Sequence, residues 1–299
     1  MTTPLTHGVW NVVATPFHSD SLDVDLDSLA RLVASYQEAG AAGLTVLGVF
    51  GEATSLSRAE RRLVLNTVAA TVNLPLVVGV TALSTRPAID EVREAQDVVG
   101  DRIAGVMIQL NTAAPRTLAA HLSTIHGQTG AGIVAQNYPV SSGVSIGVDD
   151  EIDALGQTSG LVAIKAEAAP TALRIGELVD RFATPVFGGL GGVGLIDELE
   201  AGAAGAMTGF SFPEGLIAAV NAHRTGGFEA ARSAFAPYLP LSCFEQQPRI
   251  ALAIRKACLV ERGLIAADAV RPPAPSLPPM MRTLMKKHLA VLGAGEAWQ

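Results

Sequence analysis

Little lysine, little cysteine and few aromatic side chains mark this chain of 299 residues. The two cysteines, Cys243 and Cys258, fall in helix-like sequence near the C-terminus, which excludes a disulfide framework and leaves both as packing residues. With 21 basic against 28 acidic residues and no cationic run longer than pairs such as Arg61-Arg62 and Lys286-Lys287, a nucleic-acid partner is excluded. No uninterrupted apolar stretch reaches the roughly 20 residues of a membrane span, and Met1 to His7 have neither the cationic nor the apolar region of a signal peptide. A cytoplasmic location is the expectation. The six histidines form no HxH or HExxH pattern, so no metal site is expected, and no Gly-x-Ser-x-Gly elbow offers a serine nucleophile.

What the chain does have is apolar material, 49% of its residues, arranged in a repeating order. Short apolar runs recur at 9–14, 44–47, 76–80, 105–108, 132–135, 161–164, 185–187 and 205–207. Between them lie segments of helical spacing, such as Leu26, Leu29, Leu32 and Val33, or Leu63, Val64, Val68 and Val72 behind the capping-box pattern Ser57-Arg58-Ala59-Glu60. Strand followed by helix, repeated eight times, predicts a (β/α)8 TIM barrel over residues 1–225. An open doubly wound sheet is the rival, but no early strand leads into a GxGxxG turn. From 226 to 299 the pattern is helix only, a C-terminal helical extension expected to cover the barrel or an oligomer contact, with nothing catalytic in it.

Lys165 is the only lysine in the first 255 residues, and it ends the apolar strand Leu161-Val162-Ala163-Ile164-Lys165. The C-terminal ends of barrel strands face the pocket where the chemistry of this fold takes place. An amine among apolar walls gives up its proton more readily than one in water and condenses with a ketone to an iminium, an electron sink that arginine cannot supply. A strand-end lysine can instead serve as a structural partner of Glu167. Strand alternation puts Gln136 and Tyr138 on one side at the end of the preceding strand, and Glu167 on the side of Lys165. These are candidates for moving protons, although Tyr138 also suits a packing role at the rim. The loop Gly48-Val49-Phe50-Gly51-Glu52 lets backbone N–H groups approach a carboxylate, and Gly188 and Gly189 after the seventh strand, with Thr208 at the end of the eighth, complete the candidate binding set.

In order and spacing the chain resembles the dihydrodipicolinate synthase and N-acetylneuraminate lyase superfamily of class I Schiff-base aldolases. The resemblance is carried by Ala14-Thr15-Pro16-Phe17, Gly48-Val49-Phe50-Gly51-Glu52, Asn137-Tyr138-Pro139 with Gly143, and Ile164-Lys165. It implies a barrel whose lysine forms an imine with a 2-oxo acid, needs no further cofactor, and works as a homodimer or homotetramer. Val49 and Phe50 stand where the synthases have two threonines, and the tyrosine of the family's Tyr-Asn-x-Pro motif falls on Gln136. The second family tyrosine has no counterpart between Ala104 and Pro115, and the arginine after the proline is missing. These departures argue against lysine biosynthesis, while the Gln-Asn-Tyr-Pro and Lys-x-Glu-Ala patterns look closer to the branch acting on 2-keto-3-deoxy sugar acids, by dehydration or aldol cleavage. Three alternatives stay open: a synthase-type condensation of pyruvate with an aldehyde, a barrel that binds a 2-oxo acid without turnover, and a phosphate-binding barrel using Gly188 to Gly192.

Overall fold

Eight parallel strands close in sequence order, each hydrogen-bonded to the next and the eighth to the first, so the rival open sheet is ruled out. The structure, a computed structural model, describes residues 3–293. In the first half, β1 (Gly8–Val12), β2 (Gly43–Val46), β3 (Leu76–Gly79) and β4 (Ile103–Gln109) alternate with α1 (Leu26–Glu38), α2 (Arg58–Thr71), α3 (Thr85–Val99) and α4 (Pro115–Thr129). In the second half, β5 (Ile133–Asn137) leads into a single turn, α5 (Pro139–Ser142), and then α6 (Val148–Gly156). There follow β6 (Leu161–Ala166), α7 (Thr171–Val179), β7 (Val186–Gly188), α8 (Leu195–Glu200), β8 (Gly205–Thr208) and α9 (Pro213–Phe235).

The expected capping box starts α2: Ser57 accepts from the Glu60 N–H, and the Glu60 carboxylate accepts from the Ser57 N–H at 2.8 Å. Inside the barrel, Trp10, Val77, Met107, Val134, Val162, Phe187 and Met207 fill the lumen, so it is a packed core and not a pore. Gly43 is required there, because a Cβ would lie 2.3 Å from the Trp10 ring. Apolar layers between strands and helices complete the core.

The boundary drawn at residue 225 falls inside α9, which bends at Gly227 (φ 65°) and runs on into the extension. Beyond it come α10 (Leu239–Glu245), α11 (Ala251–Glu261) and α12 (Pro279–Val291). The extension does not stand apart. Ile254, Ala257, Cys258, Met285 and Leu289 share one buried cluster with Val9, Leu199 and Leu216 of the barrel. Of the two cysteines read as packing residues, Cys258 is buried and Cys243 is exposed.

Candidate active site

Strand register does the first positioning. Lys165 on β6 sits opposite Gln136 on β5, and Asn137 opposite Ala166. Alternation then sends Gln136, Tyr138, Lys165 and Glu167 to one side, where all four border a cavity of about 210 Å³ at the C-terminal mouth of the barrel. Asn137, pointing the other way, donates to Glu151 Oε2 at 2.7 Å, and Arg174 pairs with the same oxygen. A wider cleft of about 490 Å³ at the opposite mouth contains no lysine, histidine or tyrosine. The smaller cavity is therefore the candidate site.

Within it, Lys165 Nζ lies 3.0 Å from Glu167 Oε2, both side chains being 6% exposed. Gln136 Nε2 donates to that same oxygen at 2.7 Å. The other oxygen, Oε1, accepts from the Leu190 N–H at 3.3 Å. Glu167 is thus held from three sides, by β5, β6 and the turn after β7. Tyr138, half-buried at the rim, keeps its phenolic proton more tightly than usual, first through burial and then through the charge of Glu167, with Arg255 opposing.

The loop after β2 divides. Val49 and Phe50 line the cavity, while Gly48 borders an adjoining chamber of about 90 Å³ that shares Val49, Met107 and Gln136. Gly51 is buried, its carbonyl accepting from Thr15 Oγ1 at 2.7 Å. Glu52, named from sequence as a substrate contact, is turned away instead: its backbone is left-handed (φ 52°), and its carboxylate pairs with Lys256 and accepts from the Arg271 N–H at 3.0 Å. Burial lowers the affinity of Lys256 for its proton, and Glu52 opposes that shift.

Gly188 and Gly189 also fall outside the cavity lining. Their value is space: a Cβ on Gly189 would lie 2.2 Å from Glu167 Oε1, and one on Gly188 would lie 1.8 Å from Glu198 Oε2. Thr208 does line the cavity, and its hydroxyl accepts from the Gly191 N–H at 2.7 Å. The residues that sequence reasoning missed are Gln246 and Arg255, which reach the cavity from the extension. The available signal was Arg255-Lys256 itself, two adjacent cations set between Ala253-Ile254 and Ala257-Cys258.

Among the described residues, no three His, Cys, Asp or Glu side chains gather as a metal site, and no helix is long and apolar enough to cross a membrane. The profile of the Dihydrodipicolinate synthetase family matches residues 5–291. The chain belongs to that family. A 4-hydroxy-tetrahydrodipicolinate synthase from Methanopyrus kandleri is 27% identical over 96% of each chain. An L-2-keto-3-deoxyarabonate dehydratase from Azospirillum brasilense is 28% identical over 94% of this chain and 92% of its own. The crystal structure of dihydrodipicolinate synthase from Rhodopseudomonas palustris superposes with a TM-score of 0.89 at 29% identity, covering 97% of this chain and 98% of that one. Dihydrodipicolinate synthetase family enzymes are class I lyases that act through a lysine Schiff base, and this chain is an enzyme of that class.

Proposed function

We propose that the enzyme is a lyase acting on a 2-keto-3-deoxy sugar acid, or a closely similar 2-oxo acid, through an imine on Lys165. The observation that carries this reading is Glu167 Oε2, which lies within hydrogen-bonding distance of both Lys165 and Gln136 in the cavity at the barrel mouth. Synthase-type condensation shares the lysine, but the wall formed by Val49, Phe50 and Gln136 lacks the hydroxyls expected for it.

The substrate's C1 carboxylate is seated against the backbone N–H groups of Val49 and Phe50, which make no backbone hydrogen bond inside the loop, whereas those of Gly51 and Glu52 are spent on Gly48 and Val49. Lys165 passes a proton to Glu167 and attacks the C2 ketone. Glu167 returns that proton to the carbinolamine hydroxyl, which leaves as water and yields the iminium. The emptied carboxylate takes a proton from C3, giving an enamine. In dehydration the enamine electrons expel the C4 hydroxyl, which receives a proton from Tyr138 or from water held by Gln136. In cleavage the emptied carboxylate of Glu167 takes the proton of the C4 hydroxyl instead of one from C3, the C3–C4 bond breaks to leave an aldehyde and the enamine, and Glu167 returns the proton to C3 to restore the iminium. Water then releases the product from Lys165. No metal or other cofactor enters these steps, and a homodimer or homotetramer is the proposed assembly.

The test is borohydride reduction with pyruvate and with a panel of 2-keto-3-deoxy sugar acids, read by intact and peptide mass. The expected result is a stable adduct on Lys165 that is absent from Lys165→Arg, with product analysis separating dehydration from cleavage. An adduct on Lys256, or none with any 2-oxo acid, would overturn the reading.

A further inference from the structure

The proposed chemistry leaves one cation of the cavity lining unused. Arg255 on α11 borders the cavity that Lys165 faces from β6, yet only 8% of its surface is exposed. A guanidinium carries five N–H donors in a rigid fork and no acceptor. Among the described residues its polar partner is Glu245, whose Oε2 is 3.4 Å from Nε and leaves that nitrogen without a hydrogen bond. Glu245 is also occupied by the hydroxyl and N–H of Ser211. Burial pushes its carboxyl up to about 7, with Arg255 opposing, so near neutral pH it is an incomplete counter-charge.

The fork is held in place from two directions. Its carbon lies 5.1 Å from the centroid of the Phe50 ring, and that ring in turn occupies the space a Cβ on Gly209 would need. On the other side, Gly191 (φ +68°) leaves room: a Cβ there would come 1.9 Å from Gln246 Nε2 and 3.0 Å from Arg255 Nη2. Gln246 Nε2 is buried without a partner as well. Arg255 Nη2 and Gln246 Nε2 therefore converge beside Gly191, and among the described residues no protein acceptor meets them. Leaving such groups unpaired is costly unless a ligand supplies the acceptor.

Chemistry narrows the ligand. A wall of donors suits a group that only accepts, which describes a carboxylate; the hydroxyls of a neutral polyol need acceptors too. The first carboxylate of a 2-oxo acid already has a seat on the loop at Val49 and Phe50, so this wall is left for the other end of the molecule. We infer that Arg255, assisted by Gln246, holds a second carboxylate at the far end of the substrate, making the enzyme selective for dicarboxylic 2-oxo acids. A 2-keto-3-deoxy sugar acid oxidised at both ends meets this requirement. The inference rests on the imine reading and deepens it.

Two five-carbon probes isolate the group in question: 2-oxoglutarate, with a distal carboxylate, and 2-oxopentanoate, with a methyl group in its place. The wild-type protein is expected to give half-maximal borohydride trapping on Lys165 at about tenfold lower 2-oxoglutarate than 2-oxopentanoate, the scale of one charge-assisted bidentate contact. In Arg255→Leu the ratio is expected to collapse towards one. Arg255→Leu paired with Glu245→Leu replaces the buried ion pair by apolar groups, so the ratio can be read even if the single variant fails to fold. In Arg255→Lys, which keeps the charge but loses the fork, an intermediate ratio is expected. Equal trapping of the two probes by the wild type, or a preference that survives the double substitution, overturns the inference while a pyruvate adduct on Lys165 leaves the lyase reading intact. Absence of any adduct in the wild type removes both.

Discussion

Lys165 on β6 and Glu167, one residue past the end of that strand, stand two residues apart in sequence and meet again in space, Nζ to Oε2 at 3.0 Å, with almost no solvent between them and the barrel wall. A pair of this kind exchanges a proton without help from bulk water, which is what both formation and collapse of a carbinolamine require. Glu167→Gln keeps the shape and removes the exchange. Turnover is expected to fall by about 10²- to 10⁴-fold, with slower imine formation in single-turnover borohydride trapping. Undiminished trapping rates would transfer the role to another group.

Tyr138→Phe separates the later step from the earlier one. The imine should still be trapped on Lys165, while turnover drops by about 10²-fold or more if the phenol protonates the leaving group. If Gln136-held water does so instead, Gln136→Leu will carry the larger loss, and comparison of the two variants decides between them.

Gly189→Ala tests the space-making role of a residue first read as a substrate contact. The new methyl would lie 2.2 Å from Glu167 Oε1 and must displace that carboxylate. Overpacking of this kind costs about 1–3 kcal/mol, so a lowered melting temperature is expected together with a loss of activity. Retained activity with a normal melting curve would show that the carboxylate can shift freely.

Lys256 is fully buried against Glu52. Lys256→Met should leave the Glu52 carboxylate stranded and cost about 3–5 kcal/mol, whereas Lys256→Met combined with Glu52→Leu should recover much of that loss. Thermal unfolding of the two single variants and the double variant measures the coupling.

Glu198 provides a dependence on pH. Burial pushes its carboxyl up from 4.5 to about 7, the Thr171 hydroxyl opposing and the charges of Glu167 and Asp197 reinforcing. Because the folded state holds this proton more tightly than the unfolded chain, its contribution to stability is complete below about pH 4.5 and is lost as the pH rises through about 7. Glu198→Gln should therefore gain stability relative to the parent between pH 5 and pH 8. Parallel melting curves for the two proteins across that range would remove Glu198 as the source.

The barrel was legible in the sequence because a parallel strand buried on both faces must be apolar throughout, and eight such runs stand out against helical spacing. The same two-residue period placed Gln136, Tyr138, Lys165 and Glu167 on one wall. What the pattern could not give was direction outside regular elements. Glu52 turns away from the cavity because of a single left-handed residue, and nothing local announces that. Gly188 and Gly189 resembled an anion seat, but they are gaps for two carboxylates that arrive from β6 and α8. Arg255 and Gln246 escaped notice because only the return of the extension over the barrel brings them to the mouth, and that contact spans far more of the chain than any periodicity covers.

The bond between Glu52 and Lys256 fastens the strand-two loop to α11, and these are the segments that bring Phe50 and Arg255 together at the same cavity. Specificity in this enzyme is accordingly not a detachable cassette. A chimera that borrows its C-terminal helices from another barrel would have to borrow the strand-two loop as well, and a laboratory lineage selected for a new substrate should change the two segments together.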